Sequence, residues 1–219
     1  ITLIVTDITA PINPTISINS DNASTSNTVV TLALSVSDDY GVRAYYVSET
    51  NSTPTGTDSG WTSVTSSTSY SSKVSFTLIS PGTAGNHSKT VYVWFKDDAG
   101  NVSPSASDGI TLVVSDTQRP GSTSIIINSG SSSTSNTVVS LALSATDNVG
   151  ITAYYASETS TTPASNADGW ESVTSSASYS DTVSFPLAST GSRGYFLSTV
   201  YIWFKDEAGN VSGYSSDAI

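Results

Sequence analysis

Apolar and polar residues alternate along this chain in short runs of four to nine positions, each closed by Ser, Asn, Asp, Gly or Pro. In a strand, neighbouring side chains point to opposite faces, so one face of each run is predicted to be buried. In the first half these faces are Ile16 and Ile18, then Val30, Leu32, Leu34 and Val36, then Val42, Ala44 and Tyr46. A short strand around Trp61 to Val64 follows, then Val74, Phe76 and Leu78, then Val91, Val93 and Phe95, and finally Ile110, Leu112 and Val114. No segment shows the 3.6-residue period of an amphipathic helix.

The same pattern returns at an offset of 109 residues. Asn27-Thr28-Val29-Val30 recurs as Asn136-Thr137-Val138-Val139, Gly60-Trp61 as Gly169-Trp170, and Ala99-Gly100-Asn101-Val102-Ser103 as Ala208-Gly209-Asn210-Val211-Ser212. Without a single gap, about 57% of the aligned pairs are identical, the mark of tandem duplication. Seven short strands in each copy of roughly 100 residues predict an all-β chain of two immunoglobulin-like antiparallel β-sandwiches. The run Ile1 to Asp7 repeats as Ile110 to Asp116, and the chain stops at Ile219, where the run would begin a third time. The predicted division is therefore a spare final-type strand at 1–7, one domain at 8–116 and a second at 117–219 without its last strand.

Composition narrows the chemistry. The 219 residues include no Cys and no Met, so disulfides, thiol nucleophiles and Cys-bearing zinc sites are excluded. Seven Lys+Arg against 18 Asp+Glu give a net charge of −11, which repels nucleic acid and anionic membrane surfaces. Ser and Thr make up about a third of the chain, so the polar surface is mostly hydroxyl. No apolar stretch approaches the roughly 18 residues of a membrane helix, and no signal peptide is visible. A start at Ile1 rather than Met is expected of a processed or excised chain.

In a sandwich of this type, the incoming chain and the loops after the second and sixth strands gather at one pole. The sequence places Asp7, Asp38, Asp39, Asp97 and Asp98 there in copy one, and Asp116, Asp147, Asn148, Asp206 and Glu207 in copy two. Crowded carboxylates repel unless a hard cation with oxygen ligands neutralises them, so calcium is one reading. Plain turn chemistry, with Asp capping local N–H groups, is the other. Strand parity makes a second expectation, that Tyr45, Tyr92 and Trp94, with Tyr154, Tyr201 and Trp203, lie outward on one sheet face. Such a face is either covered by the loop from Pro54 to Trp61 or by a neighbouring chain, or left open as a platform for glycans. His87 is the sole His and has no counterpart, since Phe stands at position 196. No Gly-x-Ser-x-Gly turn occurs either, so the chain is expected not to be an enzyme. Glycosylation sequons begin at Asn22, Asn51, Asn86, Asn101 and Asn210, the last two also suiting turn formation.

The segments Asp7-Ile8-Thr9-Ala10-Pro11, Asp38-Asp39-Tyr40-Gly41-Val42 and Lys96-Asp97-Asp98-Ala99-Gly100-Asn101-Val102-Ser103 resemble the bacterial immunoglobulin-like repeats strung along giant surface adhesins and other extracellular filaments. Copy two departs at its linker, Asp116-Thr117-Gln118-Arg119-Pro120. The resemblance implies an extracellular, cell-surface location, a structural role in a filament, sheath or adhesin stalk, and calcium between successive domains. Copies of the chain itself would be its partners, either in a longer covalent array or by strand exchange. In the second case Ile1, Leu3 and Val5 act as a donor strand that fills the vacant place in another molecule. A carbohydrate-binding accessory module of a secreted protein is the alternative.

Overall fold

The computed structural model describes residues 7–188 and 194–219. The chain divides into two compact units, Ile1–Val114 and Ser115–Ile219. In the first, six strands run in the order β1 (Ile12–Ile18), β2 (Ser24–Thr25), β3 (Val29–Ser48), β4 (Thr62–Thr77), β5 (Gly85–Asp97) and β6 (Ala106–Val114). They hydrogen-bond in the sequence β1-β3-β5-β6-β2, with β4 along the other side of β3. Among the described residues of this unit, only the β2–β6 pair is parallel.

Two layers arise because long strands bend. The 20-residue β3 pairs with β1 and the end of β4 through its first half, and with β5 and the start of β4 through its second. Between them the ladder slips at Ser37 to Val42. Gly41 sits there with φ +139°, and a Cβ on it would collide with Ser66 Oγ. Only glycine fits so tight an inner corner. Both halves of the folded ribbon then bury their apolar faces in one core, where Val30, Leu32, Leu34 and Val36 meet Val42, Val91, Val93, Phe95, Ile110 and Leu112.

The predicted second and third strands are therefore one bent strand, and the two runs around Trp61–Val64 and Val74–Leu78 lie in and just beyond β4. A second slip between Val42 and Ala44 reverses the parity expected after it. Tyr45 and Val47, not Tyr46, pack against the first core, while Ala44 is buried as expected.

The second unit repeats the plan with β7 (Gly121–Ile127), a short 3-10 turn (Asn128–Gly130), β8 (Val138–Ser157), β9 (Glu171–Pro186), β10 (Thr199–Asp206) and β11 (Ser215–Ala218). Its order is β11-β10-β8-β7, with β9 on β8. Ile127, Leu141, Leu143, Ile151, Val200, Ile202 and Phe204 form its core. Strand β6 starts at Ala106, earlier than the sequence suggested, so β11 is the counterpart of its first four residues. The second unit thus keeps the opening of its last strand. The proposed donor residues Ile1, Leu3 and Val5 lie outside the described residues.

Candidate functional site

Each unit gathers carboxylates where the chain comes in. In the first, oxygens of Asp7, Asp38 and Asp39 all lie within 4.8 Å of one another, and in the second those of Asp116, Asp147 and Asp206 do the same. Asp38 is 6% exposed and Asp147 8%. One oxygen of each caps the bend of its ribbon. Asp38 Oδ1 accepts the amides of Tyr40 at 3.0 Å and Gly41 at 2.7 Å, and Asp147 Oδ2 accepts those of Val149 and Gly150, both at 2.9 Å. Their other oxygens, Asp38 Oδ2 and Asp147 Oδ1, are buried with no partner.

The incoming chain contributes in the same manner. Asp7 Oδ1 accepts the amide of Thr9 at 2.9 Å and its hydroxyl at 2.7 Å, while Asp7 Oδ2 is buried and unpartnered. The Thr9 hydroxyl and then its amide hold the Asp7 carboxyl below its ordinary value, so it stays ionised at neutral pH. In the second unit, Asp116 Oδ1 accepts the Gln118 amide at 3.0 Å and the Asn148 side-chain amide at 3.2 Å, and again Oδ2 is left without a partner. Turn chemistry accounts for one oxygen of each pair and leaves the other unexplained. Two orphan carboxylate oxygens at each pole, beside further carboxylates, are a donor set that suits a hard cation such as calcium, with water completing its shell.

The remaining predicted acids are engaged otherwise. Asp97 is 1% exposed, but both its oxygens are taken by Asn101, from the backbone amide at 2.8 Å and the side-chain amide at 2.7 Å. The same Asn101 side chain donates to the carbonyl of Thr9 at 3.0 Å, tying the incoming chain to the turn after β5. Asp206 and Asn210 repeat the arrangement. Asp98 leaves the cluster, because Arg43 at 3.6 Å and the Ser66 hydroxyl draw it aside. Asn148 serves as a donor to Asp116 rather than as another acid.

The aromatic face is roofed. Trp94 and Trp203 are 1% and 0% exposed, so neither is the outward platform that strand parity suggested. Tyr46 meets Trp94 edge-on at 6.1 Å and Trp61 at 5.7 Å, and Tyr155 bridges Trp203 and Trp170 in the same way. The loop carrying Trp61 is fixed by Lys96, whose Nζ lies 4.7 Å over the indole and donates to the Gly56 carbonyl at 2.7 Å. Lys205 repeats both contacts on Trp170 and Ser165. Tyr45 and Tyr154 turn inward instead, stacking on Tyr70 and Tyr179 beside the cores. Tyr92 and Tyr201 stay half-buried against the indoles. Sequence reading overlooked the lysine, though a signal existed. Among seven Lys+Arg, Lys96 and Lys205 are the only pair that both copies retain at one position. His87 lies on β5 with a ring nitrogen 3.0 Å from the Thr83 carbonyl, and no acid–base partner joins it among the described residues.

No family model matches the chain, and neither does any curated protein. Among solved structures, it is similar to the fibronectin(III)-like modules of Clostridium thermocellum CbhA, at 13% identity over 93% of this chain and 92% of that one, TM-score 0.28. It is also similar to the human OSCAR ligand-binding domain, at 12% identity over 96% and 99%, TM-score 0.30. A third is the Endo-D glycoside hydrolase domain from Streptococcus pneumoniae R6, at 15% identity over 88% of this chain and 32% of that one, TM-score 0.27. The fold of both units is all-β and immunoglobulin-like.

Proposed function

We propose that this chain is a structural component of an extracellular, cell-surface filament, sheath or adhesin stalk, in which tandem immunoglobulin-like units supply reach and a calcium ion braces the point where the chain comes into each unit. The observation that carries this reading is the pair of buried, unpartnered carboxylate oxygens at each pole, Asp7 Oδ2 with Asp38 Oδ2 and Asp116 Oδ2 with Asp147 Oδ1. A unit that transmits tension must hold its incoming chain. Here Asn101 and Asp97 grip it from the turn after β5, and the acids of the bend would grip it through the cation. Proteins that lack such a site gain little from calcium, whereas binding to the folded state alone raises stability by mass action. Copies of the chain, joined covalently or by strand exchange, are the proposed partners.

Thermal unfolding of the whole chain with and without calcium tests this reading. The melting temperature is expected to rise by several degrees with calcium and to fall back with a chelator, as about 1–3 kcal/mol of binding energy requires for domains of this size. A melting temperature indifferent to both would remove the calcium brace.

A further inference from the structure

The two acidic poles differ by one carboxylate. The repeat matches Asp7 with Asp116, Asp38 with Asp147 and Asp97 with Asp206, so both copies keep those three acids. The fourth position is Asp39 in the first copy and Asn148 in the second. In the incoming chain, the second copy also has Arg119 where the first has Ala10. Both changes make the second pole less negative.

What asks for a cation is common to the two. Asp38 Oδ2 and Asp147 Oδ1 are buried without a partner, on residues that are 6% and 8% exposed. A charged oxygen so placed is costly unless an ion or water meets it. The surroundings of that oxygen are where the poles part. In the first, Asp39 stands exposed, accepts the Thr9 hydroxyl on Oδ1 at 2.8 Å, and brings an oxygen within 4.8 Å of those of Asp7 and Asp38. A cleft of about 320 Å³ lined by Thr9, Ala10, Ile12, Ser37, Asp38 and Asp39 gives water room to complete an ion's shell.

In the second pole, Asn148 presents its side-chain NH₂ instead, donating to Asp116 Oδ1 at 3.2 Å. To ligate an ion it must turn its carbonyl oxygen inward and give up that bond, and it still brings no charge. Asp206 completes the second cluster but is no substitute. Both its oxygens already accept from Asn210, at 2.8 and 2.7 Å, and Asp97 duplicates that arrangement in the first unit, where Asp39 comes in addition.

We propose that the first pole is a tight calcium site and the second a weaker one, with Asp39 and Asn148 setting the difference. The proposal rests on the calcium brace described above and adds the order of its response: as calcium falls, the second unit loses its brace before the first. Affinity at oxygen-donor sites follows the number of charged ligands. One more charge about 5 Å from a divalent ion is worth about tenfold even at the dielectric of water.

Calorimetric titration of calcium into the whole chain, first stripped with chelator, reads both sites together. Two steps of one ion each are expected, with Kd values at least about tenfold apart. Asp39→Asn should weaken the tighter step about tenfold or more and leave the weaker in place. Asn148→Asp should tighten the weaker step until the two merge. Both substitutions are isosteric and lie at exposed positions, and circular dichroism of each variant checks that the fold is kept. Two equal steps in the native chain, steps that neither substitution moves, or a tighter step that answers to Asn148→Asp would overturn the ranking and leave the brace standing. A native chain that binds no calcium would remove the brace and the ranking together.

Discussion

One oxygen of Asp38 holds the bend of β3, and the other faces a second carboxylate with no proton donor in reach. That division gives an unusual sign to a simple substitution. In Asp38→Asn the amide oxygen can still accept from Tyr40 and Gly41, while the charge that repels Asp7 and Asp39 is gone. Without divalent cations, the variant is expected to be as stable as the native chain or more so, by up to about 1 kcal/mol, and to lose the first unit's response to calcium in a melt. Asn101→Ala should behave oppositely, costing about 1–3 kcal/mol with or without calcium, because it takes the side-chain donor from one oxygen of a carboxylate that is 1% exposed and leaves only the backbone amide on the other. Chemical denaturation of each variant in chelator distinguishes the two. Tyr179 offers a third reading of its surroundings. Burial, with smaller contributions from Asp181 and Tyr154, pushes its hydroxyl up to about 12. The folded state therefore favours the neutral phenol, and this stability is complete below the ordinary value of 10 and is lost as pH rises towards 12. Absorbance at high pH should show one tyrosine ionising together with unfolding of the second unit.

Among the elements, the roof of Trp61 over Tyr46 and Trp94 was legible only in part. A covering loop was one reading of the aromatic face, but the sequence set Tyr45 beside Trp94 where the structure sets Tyr46. The reason is the extra residue between Val42 and Ala44, which shifts every later side chain of β3 to the other face and leaves no pattern in the alternation itself. Alternation reported β5 correctly because no bulge interrupts its pairing with β6. The corner at Gly41 was readable as a turn. That the strand passes through it without breaking depends on the collision with Ser66 across the ribbon, which no local rule contains. Trp61→Ala should cost about 1–2 kcal/mol, the sum of an edge-on aromatic pair and a cation–π contact with Lys96, and should shift the emission of Trp94 towards the red. Glycine at 60 is needed for the same packing, since a Cβ there would strike the Tyr46 ring.

At the scale of the whole chain, duplication carried the most information. The offset of 109 set the expectation of two alike units, and the acids at 7, 38 and 39 in one copy and at 116, 147 and 206 in the other located both poles. What the sequence could not show is which oxygens are already satisfied. Asp97 and Asp38 look alike on paper, yet Asn101 occupies the first completely and the second keeps one oxygen free. The central claim is mechanical, that each unit grips its incoming chain through a cation and so transmits tension. Single-molecule stretching of the whole chain from its two ends tests it most directly. Two unfolding steps of similar length are expected, at forces that rise with calcium and drop in chelator, with Asp38→Asn abolishing the change in one step alone. Forces that ignore calcium in both steps would contradict the account.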